Sequence, residues 1–221
     1  MCGRKYASEE LTWAEYREML DITAQPASNL QPNYNIAPTH MVLAGRSRNG
    51  VRQVDPLHWG LVPHWAKDTK IASKMINARA ETLEEKPSFK PLLESKRCAV
   101  LVSGFYEWQR GLGPSKKDKQ AYKVERGDYS TMILGGLWTE NPSLGLTSYT
   151  LVTTAASQDF SAYHHRLPLI LEPEQVTDWL EGDWKGARSL LAPYDGALAV
   201  TAISNAVGNV RNTGPELLAP I

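Results

Sequence analysis

The chain is poor in several features that would each point to a class of protein. Its two cysteines, Cys2 and Cys98, are too few for a disulfide framework and lack CxxC spacing, so a reducing compartment is expected. No apolar run approaches the ~20 residues of a membrane span, and no basic-then-apolar segment precedes the first strand-like runs. A cytoplasmic protein without membrane contact is the expectation. Net charge is missing as well, since 24 Lys and Arg balance 24 Asp and Glu. Proteins that grip long duplex DNA by its phosphates carry a basic excess, so a histone-like role is excluded and only a local basic groove is left open. The five histidines show neither HxxxH nor HExxH spacing, and the adjacent pair His164–His165 cannot face one metal from a strand. Neither a zinc site nor an organic cofactor is expected. Repeats, low-complexity tracts and linker-like stretches are also lacking, which predicts one domain over residues 1–221, monomeric, with a core that the 42% hydrophobic content can fill.

What is present reads as α+β. Thr12-Trp13-Ala14-Glu15 has capping-box spacing, and Trp13, Tyr16 and Leu20 recur on one face, which predicts a short amphipathic helix. Short β-prone runs follow at 41–44, 51–59, 98–102, 104–109, 121–124, 132–137, 148–154 and 197–203, punctuated by Gly, Pro and Asn. They predict a mainly antiparallel, barrel-like sheet core with peripheral short helices at 80–85, 88–95 and 174–180, the last opened by Pro173. The Gly- and Lys-rich stretch at 110–119 lacks phosphate-loop spacing and reads as a hairpin tip or an auxiliary phosphate contact.

Polar residues concentrate at a few places. Cys2 follows Met1, and removal of that methionine would leave an amine and a thiol on adjacent carbons, with ordinary pKa values of about 7.7–8.0 and 8.5. Such a pair can attack an amide, as in N-terminal-nucleophile hydrolases, or condense with an aldehyde and close to a thiazolidine; alternatively, Cys2 is incidental near a frayed terminus. Glutamine-hydrolysing amidotransferases also begin Met-Cys-Gly, but Arg4 stands here where a neutral run is expected. Asn77 can orient a sugar hydroxyl and Arg79 can hold a phosphate, unless they form a helix cap and a surface salt bridge. Glu107, among Phe105, Tyr106 and Trp108, would share a strand face with Phe105; apolar surroundings favour a raised pKa and a proton-shuttle role, against a structural ion pair. One of His164 and His165 reads as a general acid/base with Arg166 as an anion contact. The amide-rich run 205–212 is either a capped closing loop or an edge that grips a nucleic-acid backbone.

Taken in order, Met1-Cys2-Gly3-Arg4, Tyr34-Asn35-Ile36-Ala37-Pro38, Trp59-Gly60, Asn77 to Thr82, Gly104 to Trp108, His164 to Pro168 and Val207 to Val210 resemble the SRAP family. These are the SOS response-associated peptidases, proteins that process abasic sites. The resemblance spans essentially the whole chain. It implies an α+β SRAP domain with a barrel-like core and a positive cleft. The implied partner is single-stranded DNA, or a single-strand to duplex junction, containing an abasic site. The implied chemistry is a covalent thiazolidine crosslink through Cys2 that shields the site from strand cleavage, with lyase-like side chemistry and peptidase removal of Met1. By the same resemblance Cys2, Asn77, Glu107 and His164 are catalytic. Arg4, Arg79 and Arg166 hold phosphates, with Asn35, Trp108, Asn209 and Arg211 on the same DNA-binding surface. His165 stands where the family more often has aspartate. The rival readings are an N-terminal-nucleophile amidohydrolase or autopeptidase, and a non-covalent DNA-damage binder.

Overall fold

Alternation along two strands divides the interior into two cores. The computed structural model describes residues 2–22, 30–110 and 119–221, so Met1 and most of the Gly- and Lys-rich stretch lie outside the described residues. In β6 (Arg97–Val102) every residue is buried, because Cys98, Val100 and Val102 face one core while Ala99 and Leu101 face the other. β9 (Met132–Asn141) pairs antiparallel with β6 and splits in the same way, with Leu134 and Trp138 in the first core and Ile133 and Leu137 in the second.

The first core is enclosed by a ring of strands. β3 (Met41–Arg48) and β4 (Val51–Trp59) form a hairpin whose turn holds Asn49 at φ 53° and Gly50 at φ 76°, the pair of positive φ angles that Asn-Gly supplies at little cost. β3 pairs onward with β6. β10 (Leu146–Ala155) pairs antiparallel with β9 and parallel with β4, so β4, β3, β6, β9 and β10 close on themselves. Closure removes the exposed edges that an open sheet would present. β5 (Asn77–Arg79) lies parallel to β10, β11 (Arg166–Pro168) antiparallel to it, and β12 (Ile170–Leu171) antiparallel to β9.

A five-stranded antiparallel sheet is built from β1 (Arg4–Ala7), β2 (Asn33–Ile36), β7 (Gly104–Arg110), β8 (Lys119–Arg126) and β13 (Leu198–Ile203), in the order β13-β8-β7-β1-β2. Helices are short and peripheral. In α1 (Trp13–Leu20) the Thr12 N–H donates to Glu15 Oε2 at 2.9 Å, and Tyr16 and Leu20 are buried, as the capping-box spacing predicts. α2 (Val176–Glu181) lays Val176, Trp179 and Leu180 on the second core, and α3 (Trp184–Ser189), which the periodicity does not reveal, follows it. Among the described residues no helix is long and apolar enough to cross a membrane.

The class is therefore α+β with a ring-like, mainly antiparallel core, as expected, and the two parallel pairings of β10 are its exceptions. Two expected helices are corrected. Residues 80–85 and 88–95 hold only single 3-10 turns, at Ala80–Thr82 and Lys90–Leu92. Pro87 disfavours helical backbone at Lys86 and so limits the first stretch, and Pro91 removes a main-chain donor from the middle of the second. Gly60 is required by position: its φ is 116°, and a Cβ would lie 2.6 Å from the Ala72 carbonyl oxygen. The turn it makes brings Trp59 beside the chain entering β5, where its Nε1–H donates to the Ile76 carbonyl at 3.1 Å.

Candidate functional site

A cleft of about 860 Å³ opens beside β7 and β5. Arg4, Asn77, Arg79, Glu107, Trp108 and His164, all expected from the sequence, line it together. The alternation expected in β7 is present: Phe105 packs into the first core, while Tyr106 packs with Tyr6 against Ala121 and Ile203. Glu107 is buried at 5% exposure, with Oε1 accepting from the Trp108 N–H at 3.2 Å. Two residues on, Gln109 donates to the Ala162 carbonyl at 2.8 Å, tying β7 to the turn that precedes His164.

Asn77 sits on β5 rather than at a helix cap. Its Nδ2 donates to the Cys2 carbonyl at 2.9 Å, and its Oδ1 is buried with no partner among the described residues. A buried acceptor left unpaired costs about 1–3 kcal/mol. Trp108 Nε1 is a buried donor in the same condition.

Cys2 is not itself among the residues that line the cleft: it is buried in the first core at 1% exposure, next to the lining residues Gly3 and Arg4, with Sγ 3.9 Å from the Arg4 carbonyl oxygen. Burial pushes its thiol up to about 11; Lys5 offsets this in part and Glu107 adds to it. With Met1 still attached, removal from water thus favours the uncharged thiol. His164 Nδ1 lies 3.0 Å from the Arg166 N and 3.2 Å from the Arg166 carbonyl oxygen, so the main chain of Arg166 holds the ring in place in either tautomer. Burial lowers the His164 pKa, against a smaller raising influence from Glu107, and its ring stacks on that of His165 at 4.4 Å between centroids.

Residues 1–210 match the family model described as SOS response associated peptidase (SRAP). The chain belongs to the SRAP family. The abasic site processing protein YoqW of Bacillus subtilis is 36% identical over 230 residues, covering 99% of each chain. The abasic site processing protein HMCES of Gallus gallus is 35% identical over 263 residues, covering 100% of this chain and 78% of its own. A crystal structure of a protein from Bacteroides thetaiotaomicron, 23% identical, shares the fold at a TM-score of 0.80 over 100% of both chains.

Not every residue proposed from the SRAP motifs reaches the cleft. Arg166 is 8% exposed and turned away from solvent, bidentate with Glu81 at 2.6 and 3.0 Å and bonded to the Thr153 carbonyl. In this arrangement the guanidinium is an enclosed ion pair, not an open cation, and it holds Glu81 below the usual carboxylate range. Asn35 is 1% exposed, with Nδ2 shared among the carbonyls of Val207, Asn209 and Asn212 and Oδ1 taken by Arg4 at 2.6 Å. A direct contact from this amide to DNA would require breaking those bonds. Arg4 also donates to the Val207 carbonyl at 2.9 Å, so Arg4 and Asn35 clasp the 205–212 segment. Asn209 and Arg211 are exposed on that segment and outside the cleft lining. Gln109 lines the cleft unforeseen, and Lys119, the last residue of the stretch read as a hairpin tip or an auxiliary phosphate contact, lines it with Nζ 5.3 Å from the centroid of the Trp108 ring. Gln109 was open to the period-two argument that located Glu107. Lys119 had only the cationic composition of its stretch to signal it.

Proposed function

We propose that this SRAP protein processes abasic sites in DNA by closing a thiazolidine between Cys2 and the ring-opened sugar, in single strands or at single-strand to duplex junctions. The observation that carries the reading is the clamp of Asn77 on the Cys2 carbonyl at 2.9 Å, in a cleft that Glu107 and His164 also line. The name shared by the relatives, abasic site processing protein, supports the same substrate. Met1 must leave first, because an acylated nitrogen cannot form an imine.

The steps then follow from the groups in place. Opening of the sugar hemiacetal frees an aldehyde at C1′, with Glu107 and His164 moving protons to and from the ring oxygen and the amine. The α-amine of Cys2 adds to C1′, water departs, and an imine remains. Cys2 Sγ adds to the imine carbon and closes the five-membered ring. Asn77 Oδ1 accepts from the hydroxyl that ring opening releases. Arg4, Arg79 and Lys119 supply positive charge for flanking phosphates. A site that has lost its base needs no base flipped out of a stack, so the cleft selects the lesion at little energetic cost. The adduct protects the strand from cleavage by β-elimination. The protein acts as a cytoplasmic, single-domain monomer, and none of these steps calls for a metal or organic cofactor.

The test is incubation of the mature protein with an abasic single-stranded oligonucleotide, followed by a denaturing gel. A stable adduct that vanishes in Cys2→Ala supports the mechanism. No adduct with the wild type, or an equally stable one with Cys2→Ala, sinks it. Binding without an adduct would instead mark a non-covalent sensor, and acyl transfer from an amide with indifference to DNA would mark an amidohydrolase.

A further inference from the structure

Trp59, of the Trp59–Gly60 motif, is 0% exposed and lies in the first core with Cys2, outside the lining of the cleft. Its main chain is fixed on both sides. The Trp59 N–H donates to the His40 carbonyl at 2.9 Å, its carbonyl accepts from the Thr39 N–H at 2.8 Å, and the Gly60 N–H donates to the Tyr149 carbonyl at 2.8 Å. The indole is held as firmly. Lys5, a buried residue of β1, places Nζ 3.1 Å from the ring centroid and donates to the Tyr149 hydroxyl at 2.8 Å, while the Tyr149 ring stacks on the indole at 6.5 Å and 14°. So fixed, the indole gives its one N–H to the Ile76 carbonyl at 3.1 Å, at the peptide that leads into Asn77.

We propose that Trp59 is a positioning residue for thiazolidine formation, a role that rests on the covalent reading above: through the Ile76 carbonyl its indole N–H sets the orientation of Asn77, and with it the clamp on Cys2.

The carbonyl of Ile76 and the nitrogen of Asn77 belong to one planar peptide unit, so a tilt of that carbonyl moves the Asn77 Cα. The carbonyl accepts two hydrogen bonds, from the Leu151 N–H at 3.1 Å and from Trp59. A single donor would let the plane swing about that bond; two fix it. β5 needs this second restraint, since it is 3 residues long and Asn77 is its first. From there Asn77 Nδ2 reaches the Cys2 carbonyl at 2.9 Å, on the residue that carries both the amine and the thiol. A misplacement of ~1 Å in such a constellation can slow a reaction by about 10²-fold. The same indole also meets Lys5, on the strand that leaves Cys2, so one ring joins the chain after the nucleophile to the chain before its clamp. Trp179 provides the contrast. It is also 0% exposed and its Nε1–H donates to a carbonyl at 2.9 Å, but that carbonyl is the one of Cys98 in β6, and the ring packs in the second core.

The experiment measures adduct formation by the mature protein in excess over abasic single-stranded DNA, giving a maximal rate and a half-saturating concentration. Two variants remove the indole N–H: Trp59→Phe, and Trp59→3-benzothienylalanine, which keeps the size of the ring with sulfur in place of N–H and so guards against a failure to fold. In both, the maximal rate should fall by about three- to tenfold, the worth of one neutral hydrogen bond. Half-saturation should stay within about twofold, as should binding to DNA carrying a tetrahydrofuran at the lesion, which cannot open to an aldehyde. In an Asn77→Ala background the Trp59 changes should cost nothing further, the signature of a residue that acts through Asn77. Trp179→Phe loses a bond of the same kind and should leave the rate unaltered. An unaltered rate in the Trp59 variants, a full further loss in the Asn77→Ala background, or an equal loss in Trp179→Phe overturns the assignment. Absence of any adduct in the wild type overturns the covalent reading itself, an outcome distinct from a wild-type adduct that forms as fast without the indole N–H.

Discussion

Arg97 and Lys5 are both cations taken out of water, at 1% and 0% exposure, and their surroundings are unlike. Arg97, at the start of β6, donates to the carbonyls of Leu93, Trp179 and Gly182. Trp179 and Gly182 belong to the last turn of α2 and the residue after it, where carbonyls lack helical partners, so one guanidinium satisfies acceptors that burial would leave wanting. Lys5 has three donors and gives one to a hydroxyl, leaving the rest to aromatic faces. A saturated cation fixes an interface between elements. An under-saturated one is free to change its charge.

The contrast can be broken from either side. Arg97→Met should cost about 3 kcal/mol or more in denaturant unfolding, at roughly 1–3 kcal/mol for each carbonyl left unpaired. Lys5→Met should stabilise the fold, by about 1–4 kcal/mol, because a buried charge with few partners is replaced by a side chain of similar length. The sign with pH follows from the lowered pKa. Between about 7 and the ordinary 10.5 the unfolded chain still binds the proton that folded Lys5 has lost, so stability contributed by Lys5 rises with pH across that window. The advantage of Lys5→Met is therefore full at and below neutral pH and gone above the window; equal gains at both ends would contradict the lowered pKa. Asn77→Ala removes the clamp on Cys2 and the acceptor for the sugar, and adduct formation should slow by about 1–3 kcal/mol, roughly five- to hundredfold, in a single-turnover gel assay. Arg79→Ala should do least: weaker binding to abasic and intact single strands alike, with the slope of log affinity against log salt reduced by about one.

Legibility from the sequence followed the range of the forces. The runs at 98–102, 104–109, 132–137 and 148–154 were readable because alternation or continuous burial writes itself into short apolar stretches. Arg4–Ala7 and Asn77–Arg79 were not read as strands, since Arg-Lys-Tyr-Ala and Asn-Ala-Arg carry no such pattern and are held by partners far along the chain. Glu107, Asn77, Arg79 and His164 were legible as polar residues in apolar or tight-turn settings. That Asn35 and Arg166 would be enclosed was not, because the carbonyls and Glu81 that enclose them come from distant segments. Lys5 gave no signal at all: a lysine beside an arginine at the chain's start reads as solvated charge, and only the packing of Trp59 and Tyr149 around it says otherwise.

The clasp between Arg4, Asn35 and the 205–212 segment has a consequence in time. Arg4 and Val207 are 203 positions apart, so during synthesis the first strand is made long before its anchor leaves the ribosome. Until then the residues around Cys2 have no final resting place, and an enzyme acting on a nascent chain meets them unenclosed. The contact that fixes β1 to the 205–212 segment is therefore among the last that the growing chain can make.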